Sequence, residues 1–352
     1  MGDKFGVDAD TEDNRQASRK TKPTMMDVAS LAGVSQATVS LVLNGSPGAR
    51  LSEATKRRVR QAAREIGYKL VRRSQDGSPT RPGMIAFIAD EVTTDPWMAL
   101  AFDGAREKAL EHGISVCLFV TRGDPDAEEM LLDQVAQHPL IGVIYGTILT
   151  RRVDPPAVFF ERRTVLLNCY DPKRRLPSVL PGELVGARVA TERLIQAGRR
   201  RIGLINGQEG LDASRDRLKG YRQALASNDI AFDPELVRSG NWEPSSGYEM
   251  THALMALQRP PDAIFCANDM MAVGCFDALR ELKLRVPADV SVIGFDDREI
   301  AQFTHPPLTT MVLPQYEMGE IAAELLIDAS GGLDTGPTQI KVECPLVERG
   351  SV

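Results

Sequence analysis

No apolar run in this 352-residue chain approaches the roughly 18 residues of a membrane span. The opening stretch, "MGDKFGVDADTEDNRQASRK", contains no apolar segment that could act as a secretion signal. Five acids fall in its first eighteen residues, with few large apolar side chains, so residues 1–21 are expected to form a disordered tail. The five cysteines (Cys117, Cys169, Cys266, Cys275, Cys344) form no C-x-x-C pair. Four lie in or beside apolar strand-like runs and Cys275 in a helix-like one, which reads as small buried hydrophobes in a reducing cytoplasm. The four histidines lack metal-ligand spacing, so neither a metal site nor a cofactor is expected. There is no G-x-S-x-G, no P-loop and no G-x-G-x-x-G, and the carboxylate pair Asp296-Asp297 has no partner base or metal cluster. Enzymatic chemistry is therefore not expected.

The chain does have an uneven charge. Between Arg19 and Arg73 stand twelve Lys and Arg against three Asp and Glu, a net of +9, and the whole chain is −6, which leaves −15 for the rest. A basic module on an acidic body is the electrostatic footprint of a nucleic-acid-binding domain joined to a separate functional domain.

The basic module has a helical pattern. In "TMMDVASLAGVS", Thr24 can cap a helix and Asp27 suits its positive end. Met25, Val28, Ala29 and Ala32 form one face, and Gly33 can end the helix in a left-handed conformation. Ser35 can cap a second helix, Gln36 to Leu43, with Val39, Val42 and Leu43 facing inward. Two short helices joined by a three- or four-residue turn make a helix-turn-helix. After the Gly/Pro loop "NGSPGARL", Ser52 caps a third helix. Val59, Ala62, Ala63 and Ile66 form its apolar stripe, with Lys56, Arg57, Arg60 and Arg64 largely outside it.

From Met84 onward, short β-rich runs ("MIAFIAD", "ISVCLFV", "IGVIYGT", "TVLLN", "RIGLIN", "AIFCAND", "VSVIGFDD") alternate with helix-patterned segments. This predicts βαβ units and parallel sheets. Seven or more units exceed one compact sheet, so two similar lobes are expected, with a cleft at the carboxyl ends of their strands. Asp90, Tyr145, Asn168, Asn268-Asp269 and Asp296-Asp297 fall at such ends. Ligand contacts and hydrogen-bonded loop caps are both open readings of them.

The basic module resembles the DNA-binding head of the lactose-repressor/galactose-repressor family. The pattern DVAxxAGVSxxTVSxVLN is present in full, from Asp27 to Asn44. The body is similar to the family's effector-binding core in "DRLKGY", "FCANDMMAVG", "VPADVSVIGFDD" and "PPLTTMVLPQYEMGEIAAELL". The resemblance covers roughly residues 22 to 350. It implies an all-α helix-turn-helix head at 22–68, a linker at 69–83, and a two-lobed, periplasmic-binding-protein-like α/β body at 84–352 that binds effector and dimerises.

The resemblance also assigns roles. Gln36, Ala37 and Leu41 would read base edges in the major groove. Gln36 can pair bidentately with adenine, Ala37 can touch a thymine methyl, and Leu41 cannot contact guanine. Thr24, Ser35, Thr38, Ser40 and Asn44 would position phosphates, aided by Arg57 and Arg60. The hinge departs from the family pattern: Leu70 and Val71 replace Pro-Asn, and Gly77 stands where a leucine would wedge into the minor groove. With Pro79 close behind, a hinge helix here is poor. Arg72 and Arg73 could still reach phosphates. In the body, Arg217, Asn268 and Asp296 would contact the effector, joined by Tyr145, Asn168 and the loop residues Asp95, Pro96 and Trp97. An arginine fork beside a carboxylate suits sugar hydroxyls, and Trp97 could stack on a sugar face. Core packing for Trp97 and an inter-lobe ion pair for Arg217 are the alternatives.

The expectation is a sequence-specific, effector-controlled transcriptional regulator, of the repressor type, with activating or mixed sign as the alternative. Its partners would be a near-palindromic double-stranded operator, a small effector of carbohydrate type, and a second copy of the chain. With no leucine heptad after "CPLVERGSV", a dimer is favoured over a tetramer. A plain solute-binding protein is disfavoured by the basic head.

Overall fold

The computed structural model describes residues 24–43, 53–66, 83–94, 96–333 and 336–352, in two compact units divided between Arg81 and Pro82. The tail, Ser52 and the hinge at 69–82 lie outside the described residues.

The first unit has three helices, α1 (Met25–Ala32), α2 (Gln36–Leu43) and α3 (Glu53–Glu65). Thr24 and Asp27 form a reciprocal capping box at the start of α1. Gly33 ends the helix at φ 60°, a left-handed conformation that glycine adopts without steric cost. Thr38 donates its N–H to Ser35 Oγ at 3.1 Å, which caps α2. Val28, Val39 and Val59 are fully buried where the helices meet, surrounded by alanines of α1 and α3 and by Val42, Met25 and Ile66. A core this small depends on each of these side chains.

The second unit has two lobes. In the first, β1 (Met84–Ala89), β2 (Ser115–Val120), β3 (Leu140–Arg152), β4 (Thr164–Tyr170), β5 (Ser178–Pro181) and β11 (Gln339–Val342) form a parallel sheet of order β11-β5-β4-β3-β1-β2. Strand β1 is apolar throughout because both its faces are covered. Ile85 and Phe87 pack toward α4 (Trp97–Glu111) and α10 (Gln315–Ser330), while Ala86 and Ile88 pack toward α5 (Pro125–Ala136). Helices α4 and α10 touch through glycines. A Cβ on Gly104 would sit 2.0 Å from the Tyr316 carbonyl oxygen, and one on Gly319 would sit 1.9 Å from that of Ala101.

In the second lobe, β6 (Ile202–Asn206), β7 (Val237–Ser239), β8 (Ala263–Cys266) and β9 (Ser291–Ile293) form a parallel sheet of order β7-β6-β8-β9. Its helices are α6 (Glu183–Gln196), α7 (Asp212–Ser227), α8 (Pro244–Met255) and α9 (Asp269–Glu281). A small antiparallel pair, β10 (Thr310–Met311) with β12 (Leu346–Val347), lies at its edge. Among the described residues the chain passes between lobes three times, near Gly182, Pro314 and Glu343, because Val179, Met318 and Val342 pack in the first core while Ala187, Leu313 and Cys344 pack in the second.

The sequence reading did not resolve β5, β7, β10, β11 and β12, which span two to four residues each. It also ended β3 too early. After Gly146 the pairing of β3 with β4 shifts register, and the strand runs on to Arg152. Of the five thiols, four are buried and Cys117 is half-buried.

Candidate functional site

The helix-turn-helix exposes the beginning of α2. Gln36 is its first residue and is exposed. Ser35 and Thr38 flank it, their hydroxyls 2.9 Å apart. Thr24 uses both its N–H and its hydroxyl on Asp27 Oδ2, each at 2.7 Å. That hydroxyl contact, with the backbone contact second, lowers the Asp27 pKa. The hydroxyls of Thr24 and Ser35 thus hold the helix starts, where backbone N–H groups are free to face an anion. Arg57 is exposed on α3. The side chains of Ala37, Ser40, Leu41 and Arg60 lie outside the described residues, as do Asn44, Arg72, Arg73 and Asp95 altogether.

In the body, a cavity of about 60 Å³ lies between the lobes. The first lobe lines it with Trp97, Ile148, Leu149, Thr150 and Asn168. The second contributes Arg217, Trp242, Asn268, Asp296 and Arg298, with Glu183, Ala213 and Leu313 beside them. Five residues singled out in the sequence are therefore together: Trp97, Asn168, Arg217, Asn268 and Asp296.

Arg217 is 3% exposed and already fully engaged on one side. Its Nη2 donates to Glu183 Oε1 at 3.0 Å, its Nε to Glu183 Oε2, and its Nη1 to the Ala267 carbonyl. The guanidinium also stacks on Phe295, 3.8 Å from the ring centroid. Burial works against its charge, but Glu183 and Asp296 outweigh that and raise its pKa. Asp296 lies 3.8 Å from Arg217 Nη2 and is 5% exposed. Burial pushes its carboxyl well above the ordinary range, against the pull of Arg217. Asn268 caps α9 by accepting the Met271 N–H at 2.8 Å, and its Nδ2 donates to the Trp242 carbonyl at 2.9 Å. Asn168, at φ 55°, donates to the Thr147 and Ile148 carbonyls and accepts from Thr150 Oγ1 at 2.6 Å. Both asparagines shape the wall as well as line it. Across the gap, the Arg298 guanidinium stands 5.2 Å from the Trp97 ring centroid, so the two lobes meet there.

Two expectations are corrected. Tyr145 is not at a strand end: β3 continues for seven residues beyond it, and its ring is buried against Phe159 with centroids 5.0 Å apart. Pro96 is the exposed N-terminal flank of α4 and does not line the cavity. Asp90 instead fastens the β3 extension, accepting the Ile148 N–H at 2.8 Å and pairing with Arg151 at 3.0 Å.

The sequence reading missed Glu183, Trp242 and Arg298. Trp242 had a signal, a lone tryptophan in the polar loop "GNWEP", and Arg298 directly follows the acidic pair. Glu183 had none. The Trp242 Nε1–H is buried with no hydrogen-bond partner among the described residues, an unmet donor in the cleft wall.

A profile described as "Bacterial regulatory proteins, lacI family" matches residues 24–69, and one described as "Periplasmic binding protein-like domain" matches 191–352. The HTH-type transcriptional repressor CytR of Escherichia coli K12 is 34% identical over 337 residues, covering 95% of this chain and 97% of that protein. The chain belongs to the lacI family.

Its membership fixes the broad activity, which is DNA-binding transcription regulation. The HTH-type transcriptional regulator CelR of Thermobifida fusca is 32% identical over 95% of this lacI-family chain and 99% of CelR. A solved complex of CelR with cellobiose aligns with 94% of this chain and all of that one, at a TM-score of 0.66 and 32% identity. The lac repressor dimer bound to operator and an anti-inducer aligns over 94% and 99%, at a TM-score of 0.67 and 27% identity. No described helix of this lacI-family member is long and apolar enough to cross a membrane.

Proposed function

We propose that this chain is a cytoplasmic, non-enzymatic repressor that binds a near-palindromic operator as a homodimer and is controlled by a sugar or sugar derivative in the inter-lobe cleft. In this reading residues 22–68 form the DNA-binding head and 84–352 the effector-binding and dimerisation body. Gln36 reads a base edge from the start of α2, while Thr24, Ser35, Thr38 and Arg57 face phosphates.

The observation that carries the effector half is the buried set in the cleft wall: the Arg217–Asp296 array, two tryptophans, and the unpartnered Trp242 Nε1–H. Carboxylate acceptors, N–H donors and aromatic faces suit a polyhydroxylated ring. Cellobiose in the CelR complex supports the same class. The cavity of about 60 Å³ is far below the ~300 Å³ and more of small-molecule sites. Effector entry must therefore widen the gap between Trp97 and Arg298, and this gives the ligand a differential affinity for two lobe arrangements.

A thermal-shift screen of the full chain against a panel of mono- and disaccharides tests this, because binding to the native state raises Tm. A hit should also change operator affinity. A panel in which no sugar moves Tm would count against the carbohydrate class.

A further inference from the structure

A second, larger cavity of about 320 Å³ lies beside the cleft. Walls from both lobes enclose it. β3, the end of β4, the loop after it and β11 bring Arg152, Tyr170, Arg174 and Lys341, and that loop and the starts of α6 and α7 bring carboxylates. The lobes touch across it, where Tyr170 Oη donates to Asp212 Oδ2 at 2.8 Å and Lys341 Nζ stands 3.8 Å from Asp216.

The carboxylates of this lining all have cationic partners. Asp171 holds Arg175 at 2.7 Å, Glu183 holds Arg217, and Asp212 and Asp216 share Arg215. The guanidiniums of Arg152 and Arg174 have no partner among the described residues. By its lining the cavity is neutral, four cations against four carboxylates, but the carboxylates are taken up by Arg175, Arg217, Arg215 and Lys341, which leaves a positive field at Arg152 and Arg174. Its field is increased by the starts of α6 and α7, helices of 14 and 16 residues with no side-chain cap on their first turns. A volume of this size falls in the small-molecule range.

We propose that this cavity binds a small phosphate-bearing metabolite, with Arg152 and Arg174 as its anion ligands and Lys341 drawn toward it from Asp216. Two guanidinium forks and an ammonium offer more donors than one carboxylate can accept, and a phosphate has the oxygens to use them. A ligand held by both lobes stabilises one inter-lobe distance, so it biases the same opening as the cleft ligand. This regulatory consequence rests on the function proposed above; the binding itself does not.

The test is calorimetric titration of the full chain with inorganic pyrophosphate at constant ionic strength. Arg152 and Arg174 are exposed, so the double variant Arg152→Ala/Arg174→Ala leaves the core untouched. Saturable binding is expected, at least tenfold weaker in the double variant and unchanged in Arg57→Ala of the basic head. Equal affinity in the double variant, or no saturable binding by the wild type, would overturn the site, and a loss in Arg57→Ala instead would place the anion on the head. Citrate binding as tightly as pyrophosphate would overturn the phosphate class.

Discussion

The pair Arg217–Glu183 ties the wall of the proposed effector cleft to the fold itself. Both side chains are under 5% exposed, so removing Arg217 leaves the buried Glu183 without its partner, and removing Glu183 leaves Arg217 with only Asp296 at 3.8 Å as a counter-charge. Arg217→Ala is expected to cost about 3–5 kcal/mol of stability, read from denaturant midpoints, besides lowering effector affinity. Arg217→Ala/Glu183→Ala should cost less than the sum of the single changes, since the pair then leaves together; strict additivity would mean that the two do not interact. Asp269 gives a second residue-scale prediction. It is wholly buried, accepts from Thr310 Oγ1 at 2.6 Å and from the Arg298 N–H at 2.7 Å, and burial raises its pKa from 3.8 to about 7. The fold prefers its protonated form. Stability therefore falls as pH rises from about 4 to about 7, by up to ~1.4 kcal/mol per unit for one proton, and this contribution levels off above that. Asp269→Asn can keep both hydrogen bonds, donating to Thr310 and accepting from Arg298. Unfolding measured across this window should be less pH-dependent in the variant than in the wild type. Equal slopes would show that Asp269 ionises normally.

Elements differed in how well the sequence revealed them. The helices of the head were legible because their signals are local: Thr24 with Asp27, Gly33, Ser35 and a clean apolar stripe on each helix. The strands β1, β3, β4, β6, β8 and β9 were legible because doubly covered strands are nearly unbroken apolar runs, and the edge strand β2, which has no buried residue, because its run is largely apolar all the same. The short strands β5, β7 and β11 were not, since their pairing depends on partners distant in sequence. Part of the candidate site followed the same division. Asn268 and Asp296 follow the ends of strong strands and Asn168 lies two residues before the end of β4, whereas Tyr145 was misplaced because the β3 register shift depends on Asn168 and Asp90, which are distant in sequence. Glu183 acquires its role only through the crossing between lobes. At the element scale, Gly319→Ala should drive α10 off α4, where no Cβ fits, and cost about 1–3 kcal/mol or more. A thermal melt indistinguishable from wild type would mean that the two helices separate freely. Thr24→Ala should cost about 1 kcal/mol through loss of its cap.

At the scale of the whole molecule, the proposed reading predicts how the operator is read. If two heads read two half-sites, inserting half a helical turn between the halves should abolish tight binding. Footprinting on operators of varied spacing measures this, and indifference to spacing would point to a single head acting alone. Gln36→Ala should cost about 1–3 kcal/mol per half-site and relax preference at one base pair. Arg57→Ala should instead weaken all sequences alike and flatten the salt dependence. The two variants therefore separate base reading from phosphate contact within one binding assay.

The three crossings also govern the order in which the molecule can be built. The first lobe's sheet begins with β1 at Met84 and is completed only by β11 at Val342, with α10 supplied from between. At roughly 5–20 residues per second, translation takes on the order of 10–50 s to cover that span. Before that span is complete the head, with a core of its own, can already fold, while the apolar face meant for α10 has nothing to cover it. The second lobe, though encoded later, has its four-stranded sheet in hand sooner. A premature stop before Val342 thus spoils the first lobe as well as the second, and the first lobe's sheet stays incomplete until the last few dozen residues arrive.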